Sequence, residues 1–418
     1  MKIVFASSSF GGGGITSYAH EVIKNFSKDN DFSVIIGDDT VSPINVENVK
    51  VYKYECSDLS VSNARRILDL INNELKPDVL IGNFADIIPV IAPYLLDSIK
   101  LLTISHSLKY EAADIAGVAH RYIDTIIAAS SSYNKKYLEN RFHIVDKDKI
   151  KIILNFVEDL PEADKIRNEK RTQTPITIVY PGGSSPSKSP DVVVKILLRL
   201  LKTDAQFKFY WMKSKGVGFT NITRRFGLNS ISDITGNQDP RLIFPGRLPT
   251  REDAVNLISR ANILLFPSRR EGCPMALLEG MRVGTIPIVS DYGNANRELI
   301  SDGDNGFVIP HRDINGFVER IVDIIKHPDK YSHIPDNSRE YYLRNLSFSV
   351  WKKNMEAVIY DRTSNHTRRK ENPSSFALKM HILKIKLLVR FCQFECFFQE
   401  TIPTIFTLIK MYFIRKHY

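Results

Sequence analysis

Cysteine is scarce: four in 418 residues, at Cys56, Cys273, Cys392 and Cys396. They lack the paired spacing of a zinc site and are too few to staple so long a chain, which excludes a disulfide scaffold and fits a reducing compartment. No uncharged apolar run approaches the roughly 18 residues that a spanning helix needs; the longest near the end, Thr401 to Ile409, has nine. The start, Met1 to Ser7, is a short apolar strand that turns polar at once, without a signal-peptide core or cleavage site. A cytoplasmic protein is predicted. There is no internal repeat and no low-complexity tract.

Hydrophobic residues at 43% and charged residues at 25% give the composition of a folded globular chain, and the length predicts two domains with an appendage. The net charge of +10 would suggest an acidic partner, but the excess is local: residues 362–418 hold eleven Lys or Arg against three Glu, which gives that tail +8.

Short apolar runs alternate with longer amphipathic stretches, the pattern of parallel sheets covered by helices. One series of strands is expected at Lys2 to Ala6, Phe32 to Gly37, Asp78 to Gly82, Lys100 to Ser105 and Thr125 to Ala129. A second is expected at Ile176 to Tyr180, Phe207 to Trp211, Arg241 to Phe244, Ile263 to Phe266 and Ile286 to Ser290. Two series predict an α/β fold of two doubly wound Rossmann-like domains. The seam falls at Glu158 to Pro175, where prolines and a charged cluster interrupt the periodicity. The expected organisation is residues 1–165, residues 172–345, a closing helix over 346–362 and a basic amphipathic tail over 363–418. The site should lie between the domains, outside the carboxyl ends of the strands.

Two stretches could carry chemistry. The loop Ser7 to Gly14 follows a strand and leads into a helix; its four glycines, Gly13 and Gly14 among them, allow backbone to approach an anion. Thr16 stands where a dinucleotide fingerprint would have its third glycine. The second stretch, Pro267 to Glu279, places Glu271 before a helix and Glu279 inside it, with Pro274 suited to the first helical position. Eight residues of helix rise span about 12 Å, close to the reach of a nucleotide sugar from hexose to ribose, with the helix start between them for a diphosphate. The plain alternative is a capped surface helix with two solvated glutamates. The acidic pairs Asp29/Asp31 and Asp146/Asp148 read as solvated loops, and no metal is assigned.

The segment Phe266 to Ile309, with Glu271-x7-Glu279, Pro287-Ile288-Val289-Ser290-Asp291, Glu298 and Asp302-Gly303-x2-Asn305-Gly306-Phe307, resembles the nucleotide-sugar half of retaining glycosyltransferases of family 4. Asn155-Phe156-Val157-Glu158 is similar to that family's Asn-Gly-Val-Asp, and Phe348 to Tyr360 to its closing helix. The likeness covers residues 1–361, strongly in the second half. It implies two facing Rossmann-like domains of GT-B type, an acceptor in the first and an activated sugar in the second, with no cofactor and no required metal.

On that resemblance Glu271 would hold the donor hexose, the backbone of Gly272, Cys273, Pro274, Met275 and Ala276 would surround hexose hydroxyls and phosphate, with N–H groups from all of these but the proline, and Glu279 would bind ribose. His106, after the strand Lys100 to Ser105, matches a family histidine that contacts the donor sugar. The family places an arginine and a lysine five residues apart to meet the diphosphate; Lys188 matches the lysine, and Gly183 stands in the arginine's place. Negative charge building on the leaving phosphate must then be met otherwise. Another arginine fills in (Arg247, Arg269 or Arg270), the Gly183-Ser184 loop donates hydrogen bonds, or turnover is poor.

In the tail, nine of the 43 residues from Phe376 to Tyr418 are aromatic, about twice the chain average, and Leu378, Ile382, Ile385, Leu388 and Val389 recur at helical spacing among lysines. This resembles an interfacial helix with its apolar side among acyl chains, so an anionic membrane surface is expected as partner of residues 376–418. The alternatives are packing on the protein or a second copy, and RNA, for which there is no motif. The expected function is transfer of a hexose from a nucleoside diphosphate sugar to a glycan or lipid-linked acceptor in polysaccharide or lipopolysaccharide synthesis, at the cytoplasmic face of a membrane. The rivals are a nucleotide-sugar epimerase, a catalytically weak donor-binding partner of a true transferase and, on Asp38 at a strand end, a dehydrogenase.

Overall fold

The computed structural model describes residues 1–8, 14–37, 46–106, 110–212, 239–246, 248–269, 271–292, 295–361, 373–388 and 390. The chain forms two compact units, Met1–Ile153 with Ala357–Tyr418, and Leu154–Glu356.

In unit 1 the strands β1 (Lys2–Ser7), β2 (Asp31–Ile36), β3 (Val49–Lys53), β4 (Val79–Asn83), β5 (Lys100–Ser105), β6 (Thr125–Ala128) and β7 (Ile150–Ile152) form one sheet in the order β3-β2-β1-β4-β5-β6-β7. Every pairing is parallel. β4 and β5 are buried along their whole length, as expected of central strands covered on both faces, where each buried Ile, Leu or Val contributes about 1.5–3 kcal/mol. The strand order reverses between β1 and β4, the switch point at which such sheets bind ligands.

Unit 2 repeats the plan. β8 (Ile176–Tyr180), β9 (Phe207–Trp211), β10 (Leu242–Ile243), β11 (Ile263–Phe266), β12 (Ile286–Asp291) and β13 (Phe307–Pro310) are ordered β10-β9-β8-β11-β12-β13. All are parallel. The switch point lies between β8 and β11. Both units are therefore Rossmann-like, and the α/β class read from the sequence holds.

The structure corrects several expectations. β3 and β7 were not foreseen, because their side chains are mostly exposed or half-buried and leave no apolar run. β13 was not foreseen either, although Phe307, Val308 and Ile309 are apolar: it is only four residues long and stops at Pro310. The expected seam at Glu158 to Pro175 is not where the units divide: the break is at Ile153/Leu154, and Ala163–Arg171 is a helix of unit 2. Its charges look like a solvated linker in sequence, yet they pin one face. Lys170 is buried and donates to Thr285 Oγ1 at 3.1 Å, Arg171 pairs with Asp336 at 2.6 Å, and Asp164 accepts from Arg339 at 3.3 Å.

The helix Phe348–Tyr360 carries the second division, at Glu356/Ala357. Within unit 2, Trp351 stacks on Phe156 with ring centroids 4.1 Å apart; within unit 1, Lys100 Nζ donates to the Val358 carbonyl at 2.7 Å. In the tail, residues 375–388 form a helix. Its stripe Leu378, Ile382 and Ile385 is buried in the core of unit 1 with Ile88, Ile91 and Tyr94, so those residues do not face acyl chains as the sequence suggested. Leu388 is exposed, and Val389 lies outside the described residues. Among the described residues no helix is long and apolar enough to cross a membrane.

Candidate active site

Polar side chains gather at both switch points. In unit 2, the loop after β8 and the loop after β11 emerge from neighbouring strands, which brings together two residues 83 apart in the chain. Lys188 Nζ donates to Glu271 Oε1 at 2.8 Å and to Oε2 at 2.6 Å. The Glu271 side chain is 4% exposed and that of Lys188 34%. A buried carboxylate needs such a partner, and an ammonium with three protons retains one for a further acceptor after serving both oxygens. The sequence had assigned these residues to different parts of a ligand; the structure makes them one ion pair.

The loop that carries Lys188 is held from below. Burial, with Glu271 and Asp191 nearby, pushes the Tyr180 phenol well above its ordinary range. The neutral hydroxyl donates to the Lys188 carbonyl at 3.0 Å and reaches the Gly183 carbonyl at 3.3 Å. Gly182 lies so close over the same ring that a Cβ there would sit 2.3 Å from it, so this glycine is set by packing. Lys188 N donates to the Ser185 carbonyl at 2.9 Å, and Arg269 N to the Ser187 carbonyl at 2.9 Å, which ties the two loops together. Gly183 and Ser184 are half-buried at this rim. The hydroxyls of Ser189 and Ser268 are buried with no partner among the described residues.

The second glutamate, Glu279, is 2% exposed and is paired with Arg251. It stands on the helix Met275–Met281. Pro274 is extended, with φ −72° and ψ 120°, and caps that helix instead of being its first residue, a correction of one position; its carbonyl accepts from the Leu277 and Leu278 N–H groups. Arg251 begins the helix Arg251–Ser259, fixed by a capping box between Thr250 and Asp253. That Thr-x-x-Asp signal was readable in sequence, but it places a helix start and does not single out Arg251.

Gly272 and Ala276 are half-buried, and Cys273 and Met275 buried. Burial pushes the Cys273 thiol up to about 12, which makes it a packing residue. Its carbonyl accepts from Asn155 Nδ2 at 2.9 Å, so the Asn155 element buttresses the Glu271 loop. Arg269 is half-buried, with its guanidinium 5.7 Å from the centre of the Tyr292 ring. Gly13, Arg247, Arg270 and Asp38 lie outside the described residues, and Gly14 opens the helix Gly14–Phe26.

At the switch point of unit 1, Ser7 ends β1 beside Asn83 at the end of β4, and His106 follows β5. His106 Nε2 lies 2.6 Å from Asn83 Oδ1, an acceptor, so the ring donates from Nε2. Tyr18 meets the ring edge-on at 4.7 Å. Burial pushes the imidazole down to about 4, from an ordinary 6.5, so His106 is neutral near pH 7. Between these two values the unfolded chain binds the proton and the folded one does not, so stability falls as pH drops from 6.5 toward 4. The loss amounts to about 3 kcal/mol. Chemical denaturation of the wild type and of H106Q across this window should show the wild type losing stability more steeply; parallel curves would contradict the assignment.

Comparison with known proteins adds to this geometry. The family described as Glycosyl transferases group 1 matches residues 162–341. That match spans 180 of the 418 residues, so what it carries is a likeness of this segment to that family. The matched segment contains Lys188, Arg251, Glu271 and Glu279, and it begins at Glu162, the residue before the charged helix that looked like a linker. The chain is 29% identical over 195 residues to an Escherichia coli UDP-Gal:alpha-D-GlcNAc-diphosphoundecaprenol alpha-1,3-galactosyltransferase, a match covering 43% of this chain and 46% of that protein. It spans less than half the length of the curated relatives it matches. Anabaena Alr3699/HepE, solved in complex with UDP, superposes with a TM-score of 0.67 at 16% identity, over 86% of this chain and 99% of that one. The apo form of the lipopolysaccharide outer core galactosyltransferase WaaB gives 0.61 at 20% identity, over 87% and 100%. These likenesses establish the GT-B fold.

Proposed function

We propose that the chain transfers a hexosyl group from a nucleoside diphosphate sugar to a hydroxyl of a glycan or lipid-linked acceptor, in polysaccharide or lipopolysaccharide synthesis at the cytoplasmic face of a membrane. The observation that carries the reading is the Lys188–Glu271 pair at the switch point of the segment similar to group 1 glycosyltransferases. UDP in the Alr3699/HepE complex supports a nucleotide as ligand.

In the reaction, the bond from the anomeric carbon to the phosphate oxygen breaks and a bond to the acceptor oxygen forms. The acceptor proton leaves with the nucleoside diphosphate. Lys188 meets the negative charge growing on the departing phosphate; Glu271 orients that ammonium and accepts sugar hydroxyls, and the backbone from Gly272 to Ala276 borders the sugar. Glu279, held by Arg251, accepts the ribose hydroxyls. His106, neutral and fixed by Asn83, has the sugar contact that the family resemblance gives it. No metal is assigned, because Lys188 and the loop donors supply the countercharge. Retention of configuration belongs to the same resemblance.

A second reading, a donor-binding partner with weak turnover, is favoured by Gly183, which offers no cation where the family that the sequence resembles has arginine. Product analysis separates the two. Transfer yields free nucleoside diphosphate in proportion to a new glycoside, an epimerase yields an isomerised sugar nucleotide, and a binding partner yields neither. Failure to form a glycoside with any lipid-linked or glycan acceptor, despite donor binding, would overturn the first reading.

A further inference from the structure

The helix over residues 375–388 is apolar on two sides. Leu378, Ile382 and Ile385 are sealed into the core of unit 1, and His381 Nε2 lies 3.2 Å from the Pro89 carbonyl, which fixes the helix's rotation. At about 100° per residue, Phe376, Met380, Leu383 and Leu387 fall within an arc of about 60° on the opposite side. They are 74%, 49%, 48% and 59% exposed. Lys379 and Lys386 border this outer stripe on one edge and Lys384 on the other, all three exposed. No Asp or Glu occurs between Asn372 and Phe394.

We propose that this outer stripe seats unit 1 on an anionic phospholipid surface, with Phe376, Met380, Leu383 and Leu387 among the acyl chains and the three lysines at the headgroups. An apolar ridge flanked by cations is the arrangement that an anionic interface rewards. Each cation near such a surface strengthens partitioning by roughly five-fold. A second copy is a poor occupant, because apposing two such helices would set lysine rows against each other, and four side chains are few beside the roughly 800 Å² per partner of a stable interface. The face differs from the one the sequence pattern suggested, since that stripe is already used inside the fold. The inference is independent of the glycosyl-transfer reading.

The test is flotation of the full chain with phosphatidylcholine vesicles, with and without phosphatidylglycerol. The wild type should bind the anionic vesicles, and L383D/L387D and, separately, K379Q/K384Q/K386Q should each weaken binding by roughly tenfold or more. Thermal melting should be unchanged, because every substituted side chain is exposed, and the lysine contribution should fade in high salt. Wild-type binding that L383D/L387D leaves intact, equal binding to uncharged vesicles, or no binding to either would overturn the proposal. So would a dimer that L383D/L387D dissolves in the absence of any vesicle binding.

Discussion

Replacing Lys188 by alanine is expected to lower kcat by about 100- to 1,000-fold, the range for removing one preorganised donor to a developing anion. The substitution also strands Glu271, whose side chain is 4% exposed and has Lys188 on both oxygens. Breaking a fully buried pair costs about 3–5 kcal/mol; because the Lys188 side chain is 34% exposed, a loss of about 2 kcal/mol is expected here. The two effects are separable. A K188M/E271Q double variant removes both charges and should recover most of the stability in denaturant titrations while remaining as inactive as K188A. If K188A keeps wild-type turnover, the phosphate countercharge has been placed on the wrong residue.

Replacing Glu279 by alanine is expected to raise the donor KM by about 30- to 100-fold with kcat changed only a few-fold. Hydrogen bonds to a charged acceptor are worth about 1.5–3 kcal/mol, and ribose lies away from the bond that breaks, so its contacts serve ground state and transition state alike. Glu279 is 2% exposed and paired with Arg251, whose side chain is 53% exposed, so the vacated Arg251 can turn to water and the fold should tolerate the change. A donor lacking the ribose hydroxyls makes the assignment specific: against it, wild type and E279A should bind almost equally. A drop in kcat with unchanged KM would assign Glu279 to the reacting end instead.

The central strands were legible because burial on both faces writes a mostly apolar run, as in β4, β5 and β11. The edge strand β10 fell within an expected run, but the other edge strands did not: β3 mixes exposed and half-buried positions and contains two lysines, a pattern that loops share. The charged helix Ala163–Arg171 was misread for a related reason, since Lys170 and Arg171 take their roles from Thr285 and Asp336, more than a hundred residues away. The tail helix had one visible apolar stripe and a second that was hidden among lysines; only packing shows which is inside.

The same division holds for the site. The spacing of Glu271 and Glu279 was readable, but their partners were not, because Lys188 reaches Glu271 through the adjacency of β8 and β11 and Arg251 reaches Glu279 from a separate helix. His106 was readable from its place after β5, whereas Asn83, which holds it, ends a strand that carried no motif.

The most direct test is a crystal structure of the protein with a nucleoside diphosphate sugar. The account predicts a diphosphate oxygen within hydrogen-bond distance of Lys188 Nζ, sugar hydroxyls on Glu271 and ribose hydroxyls on Glu279. A nucleotide bound elsewhere on the molecule, with the Lys188–Glu271 and Arg251–Glu279 pairs untouched, would contradict it.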